Sequence, residues 1–433
     1  MMGNRYDKYK DSGIAWIGEI PEHWEIKRLK NVCSQVNIKE NSKENSLPYI
    51  GLENIESGSG RYIDTISEIE GMANRFCKNN VLFGKLRPYL SKVYLAEKDG
   101  ICSTEFIVYD TKSNNCRFIH KLLLSPLFID VVNSSTYGAK MPRANSEFIN
   151  NIYVQIPPLP EQQSIATYLD QKCDEIDELI TLQEEMITKL QSYKQSVITE
   201  AVTKGLDKNV PLKDSGIEWI GMIPEHWEVK RLKNLGYLYG GLTGKTGNDF
   251  NVEEGDNYEY FIPFTNIFNN MYVDMNLLGK VKVSPNEKQN KVIKNDILFL
   301  MSSEDYDGIG KSSLCKENHP HPLYLNSFCK GLRVENKFKS IFLNYFMNSA
   351  VGKYFCQIAS NGFIRINLRQ DKLLACPILC PPLPEQQSIA DSLDQRCSKI
   401  DELISIKQQK IEKLKEYKKS LIFECVTGKR KVS

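Results

Sequence analysis

The sequence predicts an α+β chain with an internal pseudo-two-fold repeat: two globular α/β units, each followed by a long α-helix. Two near-identical pairs of segments and an apolar stripe written twice carry that prediction. Residues 11–31, DSGIAWIGEIPEHWEIKRLKN, recur at 214–234 as DSGIEWIGMIPEHWEVKRLKN, matching at 18 of 21 positions with an offset of 203. PPLPEQQSIATYLDQKCDEIDELI from Pro157 recurs as PPLPEQQSIADSLDQRCSKIDELI from Pro381, now with an offset of 224. The offset grows by 21 because the segments between differ in length, 125 residues (32–156) against 146 (235–380). Each half therefore reads as entry motif, variable insert and long segment. The expected domains are 1–156, 157–206, 207–380 and 381–433.

The long segments read as helices because their apolar positions alternate by three and four, the a/d pattern of a heptad. The first stripe is Ala166, Leu169, Cys173, Ile176, Ile180, Ile187, Leu190, Val197 and Ala201. The second is Ala390, Leu393, Cys397, Ile400, Ile404, Ile411, Leu414, Leu421 and Cys425. Polar residues interrupt both at the same two places, Gln183 and Lys194 in one, Lys407 and Lys418 in the other. Polar a/d residues commonly set register and partner at some cost in stability. Proline pairs block helix upstream, Glu161 and Glu385 suit a first turn, and Gly205 and Gly428 end the runs. Each helix is then about forty residues, roughly 60 Å long. A rod of that length needs cover for its stripe, and the other copy is the nearest partner. On the stripes alone, a plain coiled-coil scaffold fits equally; the large insert attached to each helix argues for more.

Each insert alternates β-rich runs (VLFGKLRPYLSKVYL and ICSTEFIVY; DILFL and LYLNSFCKGLRV) with short helical ones (CRFIHKLLLSPLFIDVVN; SIFLNYFMNSAVGKYFCQIA), the mark of a compact α+β unit. Two faint echoes, LPYIGLENI with YFIPFTNIF and NNVLFG with NDILFL, imply a shared fold with different surfaces.

Net charge is only +2, so composition does not announce a partner, but its distribution is uneven. From Arg75 to Lys92 there are five bases and no acid. Within that run GKLRPYLSKV sets Lys85, Arg87, Tyr89 and Lys92 close together. A second cluster, Lys140, Arg143 and Asn145, sits in YGAKMPRANS, and Arg365, Asn367 and Arg369 hold the matching place in the second insert. Arg and Asn can pair bidentately with guanine and adenine edges, while Lys mainly meets phosphate. These residues, with Lys245 and Lys311, are the candidate nucleic-acid contacts; the alternative for each is an ordinary surface loop.

Other chemistry finds little support. The run GGLTGKTG from Gly240 ends like a phosphate loop, but its first glycine stands one position too close. Cys315, His319, His321 and Cys329 match no common zinc spacing and have no counterpart in the first insert. His23 and His226 recur beside Trp24 and Trp227 with no nucleophile near and read as packing residues. The twelve cysteines form no CxxC, and no apolar run is long enough for a signal peptide or a membrane helix. A cytoplasmic protein with reduced thiols is expected.

DSGIxWIGxIPEHWExKRLKN at 11 and 214, YIGLENI at 49, GKLRPYLSKV at 84, GICSTEFIV at 100 and PPLPEQQSIA at 157 and 381 together span nearly the whole chain. In this combination the chain resembles the DNA-specificity subunit of type I restriction-modification enzymes. The resemblance implies that each insert is a target-recognition domain reading one half of a split sequence in double-stranded DNA. It implies that the two helices pair as an antiparallel coiled coil and set the spacer between half-sites. Two modification subunits would dock on this core, carrying adenosylmethionine and methylating adenine, and restriction subunits would join through it. The chain itself would bind no cofactor and do no catalysis. A recognition chain of a two-subunit restriction enzyme is the neighbouring alternative. One departure stands out: SSEDYDGIGKSS from Ser302 replaces GKLRPYLSKV, and Glu304, Asp305 and Asp307 would repel phosphate unless turned away or reading cytosine.

Overall fold

The computed structural model describes residues 5–42, 46–65, 71–138, 140–253 and 257–432. The chain divides into two compact units, Met1–Glu184 with Lys407–Ser433, and Glu185–Ile406. Each unit therefore contains one insert and a portion of both long helices, a different division from the four segments read along the sequence.

In the first unit the entry motif forms a hairpin, Tyr9–Asp11 with Glu19–Pro21, and then the strand Glu25–Arg28. That strand pairs antiparallel with Tyr153–Ile156, the last strand before the helix, so the two ends of the insert are closed on each other. Between them lies a four-stranded antiparallel sheet in the order Ser34–Val36, Phe106–Asp110, Val81–Gly84, Val93–Leu95. A second sheet runs Lys39–Asn41, Met72–Phe76, Gly100–Cys102, Tyr49–Ile50, its last pair parallel. The helices Cys116–Leu124 and Pro126–Ser134 cover the first sheet with Phe118, Leu122, Phe128 and Val132.

The second unit repeats this plan. Leu212–Asp214 pairs with Met222–Pro224, and Glu228–Arg231 with Pro377–Cys380. One sheet orders Gly236–Gly240, Cys329–Val334, Ile297–Leu300, Ser312–Leu314; the other orders Gly279–Val281, Glu259–Ile262, Leu323–Leu325, again with one parallel pair. The faint echo YIGLEN/FIPFTN marks a shared device. Asn54 and Asn266 are both fully buried, and the side-chain amide of each donates to carbonyls of the following loop, Ile63 and Thr65 in one, Asp274 and Leu277 in the other.

The long helices are Leu159–Lys204 and Leu383–Val426, 46 and 44 residues. They run antiparallel: in the first unit Asp177 meets Lys418 and Gln183 meets Lys407, while in the second Lys194 meets Asp401. The stripe divides into two regimes. Its outer parts enter the globular cores, Ala166, Leu169, Cys173 and Ile176 with Leu421 and Cys425 in the first unit, Val197 and Ala201 with Ala390, Leu393 and Cys397 in the second. Ile400 and Ile411 are buried, whereas Ile180, Ile187, Leu190, Ile404 and Leu414 are half-buried. The polar residues that interrupt both stripes are thus used as cross-helix partners.

In each unit the entry motif is fastened to both helices. Trp24 and Trp227 are fully buried. His23 Nε2 lies 2.8 Å from Glu161 Oε2, and His226 Nε2 lies 2.8 Å from Glu385 Oε2. The histidines, expected as packing residues, are half-exposed and tie the motif to the helix start instead. At the other end Gly428 (φ +73°) packs on Pro21 and Trp24, and Gly205 (φ +75°) on Glu385 and Trp227. The left-handed backbone that ends each helix favours glycine. Most cysteines are buried, and Cys77 is exposed. Among the described residues no helix is long and apolar enough to cross a membrane.

Candidate nucleic-acid interface

Past Val81–Gly84 the backbone keeps pairing, but with a distant segment. Lys85 N–H donates to Glu105 O (3.0 Å), Ala144 N–H donates to Lys85 O (2.9 Å), and Arg87 N–H donates to Pro142 O (2.7 Å). Leu86 forms an isolated antiparallel bridge with Arg143. The two basic clusters of the first insert, 57 residues apart at this bridge, are therefore one surface. The second insert does the same past Ile297–Leu300: Ser302–Ser303 pairs with Ile366–Asn367, and Leu368 N–H donates to Met301 O (2.9 Å). SSEDYDGIGKSS thus occupies the place of GKLRPYLSKV with different side chains.

The candidate residues divide by what they already hold. In the first unit Arg87 takes a left-handed backbone (φ +50°), as does Ser91 (φ +51°), on either side of the short turn Pro88–Leu90. Such strain in non-glycine residues costs about 1 to 3 kcal/mol each and gathers at functional sites. That turn presents Tyr89 to solvent. Lys85 is half-buried and Lys140 exposed, and neither pairs with a carboxylate among the described residues. Arg143 is half-exposed and donates to Glu105 Oε1 (2.8 Å). Lys92 turns inward to Leu52 O (2.7 Å), and the Asn145 side chain caps the helix Ser146–Asn151 by accepting from Glu147 N–H (2.7 Å).

In the second unit Arg365 is exposed and lies over the Phe328 ring, 4.8 Å from its centre. Arg369 is exposed beside Asp371 (3.0 Å), and the Asn367 amide donates to Arg365 O (3.1 Å). Lys245 points inward: its side chain is only 6% exposed and pairs with Glu287 (2.7 Å). Hydrogen bonding from Lys245 holds the Glu287 carboxyl down to about 2. Lys311 also turns in, over the Phe268 ring and onto Phe268 O (3.2 Å), and burial lowers its pKa. Of the acids in the replacing loop, Asp305 accepts from Gly308 N–H (2.7 Å), while Glu304 and Asp307 are exposed.

Each insert is held to its own helix by one repeated aspartate. Asp170 takes Lys121 (3.0 Å) and Arg117 (3.3 Å). Asp394, 224 residues on, accepts from Tyr345 OH (2.5 Å), Tyr272 OH and Lys316 Nζ (3.1 Å). Burial opposes ionisation of Asp394, but these donors and the Lys316 charge outweigh it and keep the carboxyl below its ordinary range. Neither clamp was foreseen; the shared offset of 224 is its trace in the sequence.

The model of the type I restriction modification DNA specificity domain matches the chain twice, at residues 21–190 and 224–416. The specificity subunit of the type I restriction enzyme MjaVIII from Methanocaldococcus jannaschii is 25% identical over 432 residues, covering 95% of this chain and 94% of that protein. A chain solved in work on complex assembly and conformational transition of the type I R-M system superposes with a TM-score of 0.72 at 17% identity, covering 94% of this chain and 98% of that one. The HsdS subunit from Thermoanaerobacter tengcongensis superposes at 0.51, also with 17% identity and the same coverage. With two copies of the specificity domain lying on two units of one plan, the chain belongs to the family of type I restriction-modification specificity subunits.

Proposed function

We propose that the chain reads a split, asymmetric sequence in double-stranded DNA, one half with each unit, and does no catalysis itself. The observation that carries this is the pair of loops set side by side in both units, at the same place on the same scaffold, with unlike side chains. A scaffold held constant under two different reading surfaces is what two unlike half-sites require. Lys85, Tyr89, Lys140 and Arg143 make the first surface, and Arg365 and Arg369 the cationic part of the second. Lys92, Lys245 and Lys311 serve their own units through the inward bonds described above, and Asn145 shapes the loop end.

The same reading has the chain dock two copies of a modification subunit, on which adenosylmethionine would be bound, with restriction subunits joining through that core. Each unit exposes an equivalent apolar set on its helices, Leu179, Leu182 and Tyr417 in the first, Leu403, Ile406 and Tyr193 in the second. One set per unit supports one partner copy per unit. Exposed apolar groups of this size on paired helices are usual at protein contacts.

Exchanging residues 32–156 for the insert of another specificity subunit tests the reading. One half of the methylated target should change and the other half stay. A change in both halves, or methyl transfer by the isolated chain, would overturn it.

A further inference from the structure

The loops 137–143 and 361–367 are one device with two different tips. In the second unit Asn361 N–H donates to Asn367 O (3.0 Å) and Asn367 N–H to Asn361 O (2.9 Å); in the first, Tyr137 and Arg143 exchange the same two bonds (3.3 and 3.1 Å). Each loop has glycine second, Gly362 at φ +145° and Gly138 at φ +94°. At Gly362 a Cβ would stand 2.0 Å from Arg365 O, so only glycine closes this loop. The positions also correspond by the offset of 224 that relates the two helices. Ala139, Lys140 and Met141 in the first loop match Phe363, Ile364 and Arg365 in the second. Ala139 lies outside the described residues; Lys140 is exposed.

At the second tip Phe363 is 104% exposed and Ile364 90%, while Ile366 and Leu368 directly behind them are buried. Two large apolar side chains are thus held in water on an anchored turn. Leaving them there is unfavourable unless a partner covers them. Arg365, next to the tip, and Arg369, four residues on, are both exposed, which fits an anionic partner. Yet Glu304 and Asp307, exposed on the neighbouring loop, oppose a track of phosphates beneath it. The tip gains most by meeting base faces instead.

We propose that Phe363 and Ile364 form an apolar wedge that enters between two base pairs of the half-site read by the second unit, opening that step and bending the duplex. The first unit, whose tip carries Lys140, leaves its half-site stacked. This inference rests on the DNA reading above.

The test uses the full chain complexed with its modification subunit and a duplex selected from a randomised library. Arrays of the selected duplex in a plasmid are relaxed by topoisomerase with the complex bound, and the linking number is read. Wild type and Phe363→Trp should unwind the plasmid. Phe363→Ala with Ile364→Ala should abolish unwinding, weaken binding by about tenfold or more, and leave preference at the other half-site intact. Met141→Ala, in the first loop and outside the reading residues, should unwind as wild type does. Unwinding by the double Phe363/Ile364 variant equal to wild type would overturn the wedge, as would loss of the modification subunit from that variant on a sizing column, which would make the tip a protein contact. If no duplex is selected at all, the DNA reading falls and the wedge with it; if one is selected but the tip is indifferent, only the wedge falls.

Discussion

Asp177 Oδ2 and Lys418 Nζ, on opposite long helices, lie 2.6 Å apart, and the pair recurs 224 residues on as Asp401 and Lys194, also at 2.6 Å. The environments differ. Asp177 and Lys418 are 15% and 14% exposed, and Arg61 joins them, whereas Asp401 is 56% exposed. Removing one partner of a shielded pair strands the other charge. Asp177→Asn should therefore cost about 2 to 3 kcal/mol and Asp401→Asn less than about 1 kcal/mol. Urea melts of the single and double variants, arranged as a double-mutant cycle, check the order.

The two helix-ending glycines should likewise differ. A Cβ on Gly428 would stand 2.3 Å from the rigid ring of Pro21, whereas on Gly205 its nearest neighbour is the Glu385 carboxylate at 3.1 Å. Both substitutions strain a positive φ, at about 1 kcal/mol. Only Gly428→Ala adds a clash that the entry motif must move to relieve. It should lower the melting temperature clearly more than Gly205→Ala; equal shifts would refute the packing argument.

His120 supplies a pH dependence. Its ring is buried, Nε2 donates to Val93 O (3.0 Å), and burial pushes its pKa from 6.5 down to about 4. Below pH 6.5 the unfolded chain takes up a proton that the folded one refuses, so stability falls as the pH drops from about 6.5 toward about 4 and is unaffected by this group above that window. The full loss is about 3 kcal/mol. His120→Gln should flatten the stability profile of the first unit between pH 7 and 5.

The apolar sets on the helices predict stoichiometry. Leu179→Lys with Leu182→Lys should remove one of two modification subunits from the assembled complex, and Leu403→Lys with Ile406→Lys the other. Native mass measurement distinguishes this from no loss, which would exclude the helices as the docking face.

The repeat and the helices were legible because near-identity and a three-four period are local patterns. Even the helix ends came within reach, since Pro158 and Gly205 mark where a helix can start and stop. The pairing of Leu86 with Arg143 was not legible, because a bridge between residues 57 apart leaves no periodic trace. For the same reason the inward turn of Lys245 could not be read: Glu287, its partner, lies 42 residues away. The stripe did not show how burial varies along it: in its middle, the heptad positions Ile187 and Leu190 are half-buried rather than core. Continuous burial there would need a globular core on both sides of the helix, which only the outer parts of the stripe have.

The first unit is interrupted in the chain by the whole of the second. During synthesis, residues 185–406 leave the ribosome before the segment from Lys407 onward that carries Leu421, Ile422 and Cys425 into the first core. At about 5 to 20 residues per second the wait is roughly 10 to 45 s. The half that is begun first is thus completed last, and until then Trp24 lacks its Gly428 cover. A nascent chain should need chaperone protection at its N-terminal half for longer than at its middle, and a premature stop near residue 407 should unfold the end of the protein farthest from it in sequence.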